Sequence, residues 1–176
     1  LSTKESIINH KNAGVILMDR NDKPFFNLYE GKTKKAVPLS QIPRHLQEAI
    51  ISVEDRKFYE HPGFSLQSIG RALISDVKTE QLSQGGSTIT QQLVKNTLLT
   101  QQKNLHRKYQ ELFLAMELER RFTKDDILEM YTNTVYFGEG AYGVHDAAQA
   151  YFETDTTKLT IAQSALLAAI LPAPSA

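Results

Sequence analysis

The chain reads as a mainly α-helical single domain carrying a small N-terminal β-hairpin. From Ser40 onward apolar residues recur at three- and four-residue spacing, and helix-start residues stand in front of those runs. Only the segment from Ala13 to Pro38 shows the short apolar runs and turn chemistry of strands. At 176 residues the chain can bury one sizeable core but not two comfortable ones. The expected division is a linker with hairpin over 1–39 and a helical body over 40–176.

In the first segment, Gly14-Val15-Ile16-Leu17-Met18 is a strand-like run, Asp19-Arg20-Asn21-Asp22 has turn chemistry, and Phe25 to Tyr29 forms a return strand. A helix beginning near Pro43 then places Leu46, Ala49, Ile50 and Val53 on one buried face and delivers Glu54 at its C-terminal end. Ser65 serves as N-cap for a second helix with Leu66, Ile69, Leu73 and Val77 on its apolar side. The polar, Gly-ended stretch Lys78 to Gly86 is expected to be a mobile loop. A third helix starts near Thr88 and turns Leu93 inward.

A fourth helix, about Leu105 to Phe122, is expected to bury Tyr109, Leu112, Phe113 and Met116 and to expose its charges. Thr123 caps the next helix with Asp126 three residues on, a carboxylate variant of the capping box. Gly138, Gly140 and Gly143 punctuate the segment after it. Thr160 with Gln163 caps a terminal helix, Ile161 to Leu171, whose apolar character reads as a buried core helix.

Composition narrows the function. Twenty Lys plus Arg balance twenty Asp plus Glu, so net charge gives no argument for nucleic acid as a partner. The absence of Cys excludes disulfides and thiolate metal sites and fits an extracellular bacterial protein. No run of about twenty apolar residues is present to span a bilayer, and Leu1 does not open a signal peptide.

Two stretches look like neither helix nor core. Glu54-Asp55-Arg56-Lys57-Phe58-Tyr59-Glu60-His61-Pro62-Gly63 gathers carboxylates, cations, aromatics and a His. Gly85-Gly86-Ser87-Thr88-Ile89-Thr90-Gln91-Gln92 is a Gly-opened run rich in hydroxyls and amides. Glu54, at a helix C-terminus and beside Phe58, is placed for an upward-shifted pKa, and such a carboxylate can take a proton from a sugar hydroxyl. The plainer alternative is a solvated Glu54 and Asp55 beside Arg56 and Lys57. Gly85 to Thr88 has the general form of an anion cradle at a helix start, without the Gly-Lys-Ser/Thr ending of a Walker A loop. Ser87 or Thr88 can equally be a simple N-cap. His61, before Pro62-Gly63, reads as a brace for its loop, since a single His is a poor metal site. Lys95, Lys103, Arg107 and Lys108 form the densest basic patch near these stretches, suited to a departing diphosphate or merely solvated, with Arg107 and Glu111 paired four apart.

The two stretches resemble the first two signature motifs of the peptidoglycan glycosyltransferase family, the module of class A penicillin-binding proteins and monofunctional murein polymerases. Arg107-Lys108-Tyr109-Gln110-Glu111 resembles the third motif, and Lys124-Asp125-Asp126-Ile127-Leu128-Glu129-Met130-Tyr131-Thr132-Asn133 the fourth, in the family's order and at familiar spacings. The family's fifth, basic segment normally follows the region matched by Leu171-Pro172-Ala173-Pro174-Ser175 and is not in this sequence; Gln110 stands where family members often carry a cation.

The resemblance implies a lysozyme-like fold and an inverting transferase that polymerises lipid II and releases undecaprenyl diphosphate. Glu54 is then the general base for the 4-hydroxyl of the acceptor N-acetylglucosamine, and Glu111 the second essential carboxylate, near the leaving diphosphate. Asp55 is left with three roles: orienting the surroundings of Glu54, helping to bind a divalent ion, or capping local backbone. With Asp55 and Phe58, the residues Ser87, Thr88, Gln91, Gln92, Lys95, Lys103, Arg107 and Lys108 make up the expected substrate groove. Glu129 and Asn133 are expected to hold the groove wall through hydrogen bonds, while Ile127, Leu128 and Tyr131 pack. No cofactor is required, although a divalent cation, Mg or Mn, can bridge the phosphates. The implied partners are lipid II, the lipid-linked glycan, the membrane surface and other cell-wall synthesis proteins. The implied location is the extracytoplasmic face of the bacterial cytoplasmic membrane. The N-terminal anchor usual in the family is taken to have been removed, and the hairpin favours a class A parent. Two alternatives remain: a lysozyme-like murein hydrolase, whose fold also sets two carboxylates across a groove, and a non-catalytic lipid-diphosphate-binding module.

Overall fold

The computed structural model describes residues 3–8, 16–18, 24–27, 36–64, 87–98 and 105–173. Among these the architecture is mainly helical: α1 Lys4–Ile8, α2 Arg44–Glu54, α3 Ile89–Thr97, α4 Leu105–Arg121, α5 Lys124–Thr134, α6 Val144–Phe152 and α7 Ile161–Ile170. Two short strands, β1 Ile16–Met18 and β2 Pro24–Asn27, pair antiparallel. The residues joining them, the expected helix after Ser65 and the Lys78 to Gly86 loop all lie outside the described residues.

Helix starts follow local chemistry closely. Thr88, Thr123 and Thr160 each accept a hydrogen bond from the backbone N–H three residues on, and the side-chain oxygens of Gln91, Asp126 and Gln163 accept one from the backbone N–H of the cap. Three orphan N-termini are thereby satisfied at positions legible from spacing alone. Helix α2 instead starts after Pro43, whose fixed φ suits a helix entry.

Helix α5 is the hub. It packs against α1, α3, α4 and α6, while α2 packs on α7. Leu46, Ile50, Phe58, Leu93, Ile127, Leu128, Met130, Tyr131, Phe137 and Leu167 are almost wholly buried. Each large apolar side chain of this kind contributes roughly 1.5–3 kcal/mol of transfer free energy. Asn133 pins the entering chain to α5: its Oδ1 accepts from Val37 N at 2.8 Å, and its Nδ2 donates to Val37 O at 2.9 Å and to Glu129 O at 2.8 Å. Glu129 accepts from Leu39 N at 2.8 Å. The wall-holding role expected of Glu129 and Asn133 is thus seen as backbone hydrogen bonding. Gly143, at φ +87°, closes the next turn where a Cβ would lie 2.6 Å from Asn133 O, too close for any other residue.

Three packing expectations need correction. On α4 the buried positions are Glu111, Ala115 and Leu118, whereas Tyr109, Phe113 and Met116 are 73%, 65% and 41% exposed. Two positions along a helix are about 200° apart, so the expected and observed faces are nearly opposite. Helix α7 buries Ser164, Leu167 and Ala168 but exposes Ile161 and Leu166, and so is only half a core helix. On α2, Leu46 and Ile50 are buried while Val53, next to the helix end, is exposed.

The N-terminal helix is tied down from both sides of its single face. Ile7 and Ile8 enter the core, and Lys4 Nζ reaches Asp126 Oδ1 at 2.8 Å and Glu129 Oε1 at 2.9 Å. The Lys4 hydrogen bond, with others from Thr123, holds the Asp126 carboxyl below its ordinary value. A depressed carboxylate contributes stability that is present above its unfolded pKa and lost as the pH falls through the folded one. Lys4→Met is therefore expected to lower the melting temperature at neutral pH. The difference from the unmodified chain should shrink as the pH is taken below about 4, the ordinary range of an Asp; melting curves at several pH values check this.

Candidate active site

Three of the four motif-bearing segments, the first, second and fourth, meet around the N-terminal half of α3. Asp55, the first residue past α2, accepts from the backbone N–H of Ile89 at 3.0 Å. His61 Nε2 lies 2.9 and 2.8 Å from its two carboxylate oxygens. The Gly63 N–H donates to His61 Nδ1 at 3.1 Å, so that nitrogen is the acceptor and Nε2 carries the proton toward Asp55. The Thr88 hydroxyl donates to Gly63 O at 2.7 Å and closes the ring of contacts. His61 is thus the loop brace expected of it. Of the three roles open to Asp55, the observed bonds are those of a backbone cap.

The base of the site is equally joined. Gly63, at φ +87°, backs onto α4 where a Cβ would come within 2.7 Å of Glu119 Cγ and 3.1 Å of Ala115 O. Glu119 accepts from the Thr90 hydroxyl at 2.5 Å and from Lys124 Nζ at 2.8 Å. Lys124 also donates to His61 O at 2.7 Å and stands 4.6 Å from the centre of the Phe58 ring. Tyr59 donates to Asp125 at 3.0 Å. The first residues of the fourth stretch are therefore fastened to the first stretch, 63 and 66 positions away.

Above this base sits Glu54. It is half-buried in the last turn of α2, and its Oε2 accepts from Gln92 Nε2 at 2.6 Å. Gln92 Oε1 in turn accepts from the hydroxyl of Tyr131 at 3.1 Å. Burial, with the negative charges of Glu54 and Asp55 nearby, pushes the Tyr131 phenol well above its ordinary value. It is a neutral donor wherever a carboxylate is ionised. Lys95 is exposed three residues beyond Gln92, on the same side of α3.

The expected groove residues consequently separate. Glu54, Ser87, Gln92 and Lys95 are at least partly open to solvent. Phe58 is wholly buried, and Thr88 and Gln91 are 3% and 4% exposed and occupied with capping α3. In this conformation these three side chains lie inside the fold. Glu111 is 2% exposed on the inward face of α4. Arg107 and Lys108 belong to α4 one turn before it; Lys103 lies outside the described residues. Tyr131, Lys124 and Glu119 were not anticipated as parts of the site. A phenol on a buried helix face gives no periodicity signal that separates it from packing.

The family model described as Transglycosylase matches residues 21–176. The chain belongs to the transglycosylase family. It is 42% identical over 172 residues to penicillin-binding protein 1F of Bacillus subtilis, covering 98% of this chain and 24% of the relative. It is 46% identical over 162 residues to penicillin-binding protein 1A/1B of the same organism, covering 91% and 18%. With penicillin-binding protein 1A of Mycobacterium tuberculosis it shares 46% over 143 residues, 79% of this chain and 17% of the relative. The chain thus spans no more than about a quarter of the length of these curated relatives.

As a transglycosylase domain, the chain has its interhelical junction resting on one carboxylate. Asp55→Ala would leave the Ile89 N–H and the His61 Nε2–H without their partner in a largely buried place. The expected cost is about 2–3 kcal/mol, read as a shift of the denaturant midpoint at unchanged slope.

Proposed function

We propose that this transglycosylase domain polymerises lipid II with inversion at the sugar carbon and releases undecaprenyl diphosphate. The observation that carries the reading is the carboxylate of Glu54, half-buried yet reachable, oriented by Gln92 at the meeting point of three motif-bearing segments. In this mechanism the 4-hydroxyl of the acceptor attacks C1 of the lipid-linked donor from the face opposite the diphosphate. The C4–O–C1 bond forms as the C1–O bond to the diphosphate breaks, the electron pair leaves with the diphosphate, and the hydroxyl proton passes to Glu54.

The departing diphosphate gathers negative charge, and cations fixed before the reaction stabilise it more than the ground state. Lys95 on α3, Lys103, and Arg107 and Lys108 on α4 are assigned that task. Glu111, three and four residues from the α4 cations, orients them and is not a proton donor. No nucleotide enters the scheme. Among the described residues no three His, Asp or Glu side chains gather to hold a metal ion. A Mg or Mn ion would therefore take the diphosphate oxygens as part of its shell, as hard cations prefer.

A lipid-linked substrate places the domain at a membrane surface, and the outer face of α4 supports that placement. Tyr109, Phe113 and Met116 form an exposed apolar stripe at four- and three-residue spacing, and such aromatic-bearing faces partition into the interface of a bilayer. Among the described residues no helix is long and apolar enough to cross it. Residues 1–39 are assigned as the segment between the anchor and the body at 40–176, with α1 and Val37 packed against that body. The outer face of the bacterial cytoplasmic membrane is the assigned location.

Two measurements test the reading. With lipid II as substrate, the unmodified chain should yield glycan polymer and Glu54→Gln should lower the rate at least about a hundredfold. Shortened murein with untouched lipid II would assign a hydrolase instead, and lipid II binding without turnover a binding module. In vesicle co-sedimentation, the double variant Tyr109→Ser, Phe113→Ser should bind less to anionic vesicles, with melting unchanged because neither ring is buried.

A further inference from the structure

We infer that Tyr131 is a positioning residue for the proton transfer, acting on Glu54 through the amide of Gln92. The inference rests on the base role proposed for Glu54. Its geometric basis is the unbroken line Tyr131 Oη to Gln92 Oε1 at 3.1 Å and Gln92 Nε2 to Glu54 Oε2 at 2.6 Å.

The line has only one sense. Gln92 Nε2 donates to Glu54 Oε2, which leaves Gln92 Oε1 to accept from the Tyr131 hydroxyl. Tyr131 thereby tethers the far end of the amide that holds Glu54. Its own position is settled by burial at 1% exposure in the middle of α5, so the line is anchored in the core and not in solvent. With Oε2 engaged, Oε1 of Glu54 is the oxygen presented to the acceptor hydroxyl.

The chemistry predicts coupling between positions. Tyr131→Phe keeps the ring and removes the donor. We expect kcat for lipid II polymerisation to fall about tenfold, as for the loss of one well-placed hydrogen bond, with KM within about twofold and an altered pH profile of kcat. Gln92→Met should fall at least as far. The double variant should fall no further than Gln92→Met, because Tyr131 then has nothing to act through.

Multiplied losses in the double variant, or a Tyr131→Phe chain with unchanged kcat and pH profile, would overturn the inference while leaving Glu54 as base. Full activity of Glu54→Gln would instead remove the reading on which it rests. Should Tyr131→Phe fail to give a cooperative melt, the unmodified ring reports the same link. The NMR shift of the Tyr131 ζ carbon should move on Glu54→Gln, and move markedly less when Glu54→Gln is made in a Gln92→Met background, where only the direct charge effect is left. An unmoved resonance in the first comparison also refutes the coupling.

Discussion

The site depends on one carboxylate joining two helix ends. Asp55 leaves the C-terminus of α2 and satisfies the first N–H of α3, and His61 holds it from the other side. A helix N-terminus carries partial positive charge and unsatisfied donors, so a nearly buried carboxylate is at its most stable there. The consequence is geometric: with the end of α2 fastened to the start of α3, Glu54 and Gln92, one residue before Asp55 and three after Ile89, are brought within hydrogen-bonding distance. The Glu54 carboxylate is placed by its neighbour in sequence.

The second constraint is that polar groups occupy the inner face of α4. Glu111 and the partly buried Glu119 lie where an amphipathic helix would carry large apolar residues, and Ala115 between them lets Gly63 approach. Glu119 tolerates burial because Thr90 and Lys124 satisfy it, in keeping with the general cost of an unpaired buried charge. The displaced apolar residues, Tyr109, Phe113 and Met116, then face outward. One exchange therefore explains both the polar interior beneath the groove and the apolar stripe on the outside, and it links the catalytic reading to the membrane reading.

Helix starts, the position of Glu54 and the bracing role of His61 were readable in the sequence because each depends on partners within a few residues. Thr88 with Gln91, Thr123 with Asp126 and Thr160 with Gln163 are three-residue relationships that no tertiary contact needs to supply. Likewise, the wall-holding part of Glu129 and Asn133 could be anticipated from polar residues set among the apolar positions of one helix. The family resemblance, carried by ordered short motifs, rests on the same kind of local pattern and agrees with the family found by comparison.

Which side of α4 is buried could not be read this way, nor the burial of Phe58, Thr88 and Gln91, nor the line from Tyr131 to Glu54. The bonds in that line span 39 and 38 positions, and Lys124 meets His61 across 63. Periodicity ranks a residue by its own hydrophobicity, whereas burial of Glu119 is set by a cation and a hydroxyl brought from other helices. The chain alone thus specifies which residues start each helix and which belong to the family's motifs. Packing assigns each of those residues to the surface, the support or the relay, because that choice depends on partners supplied only when distant helices dock.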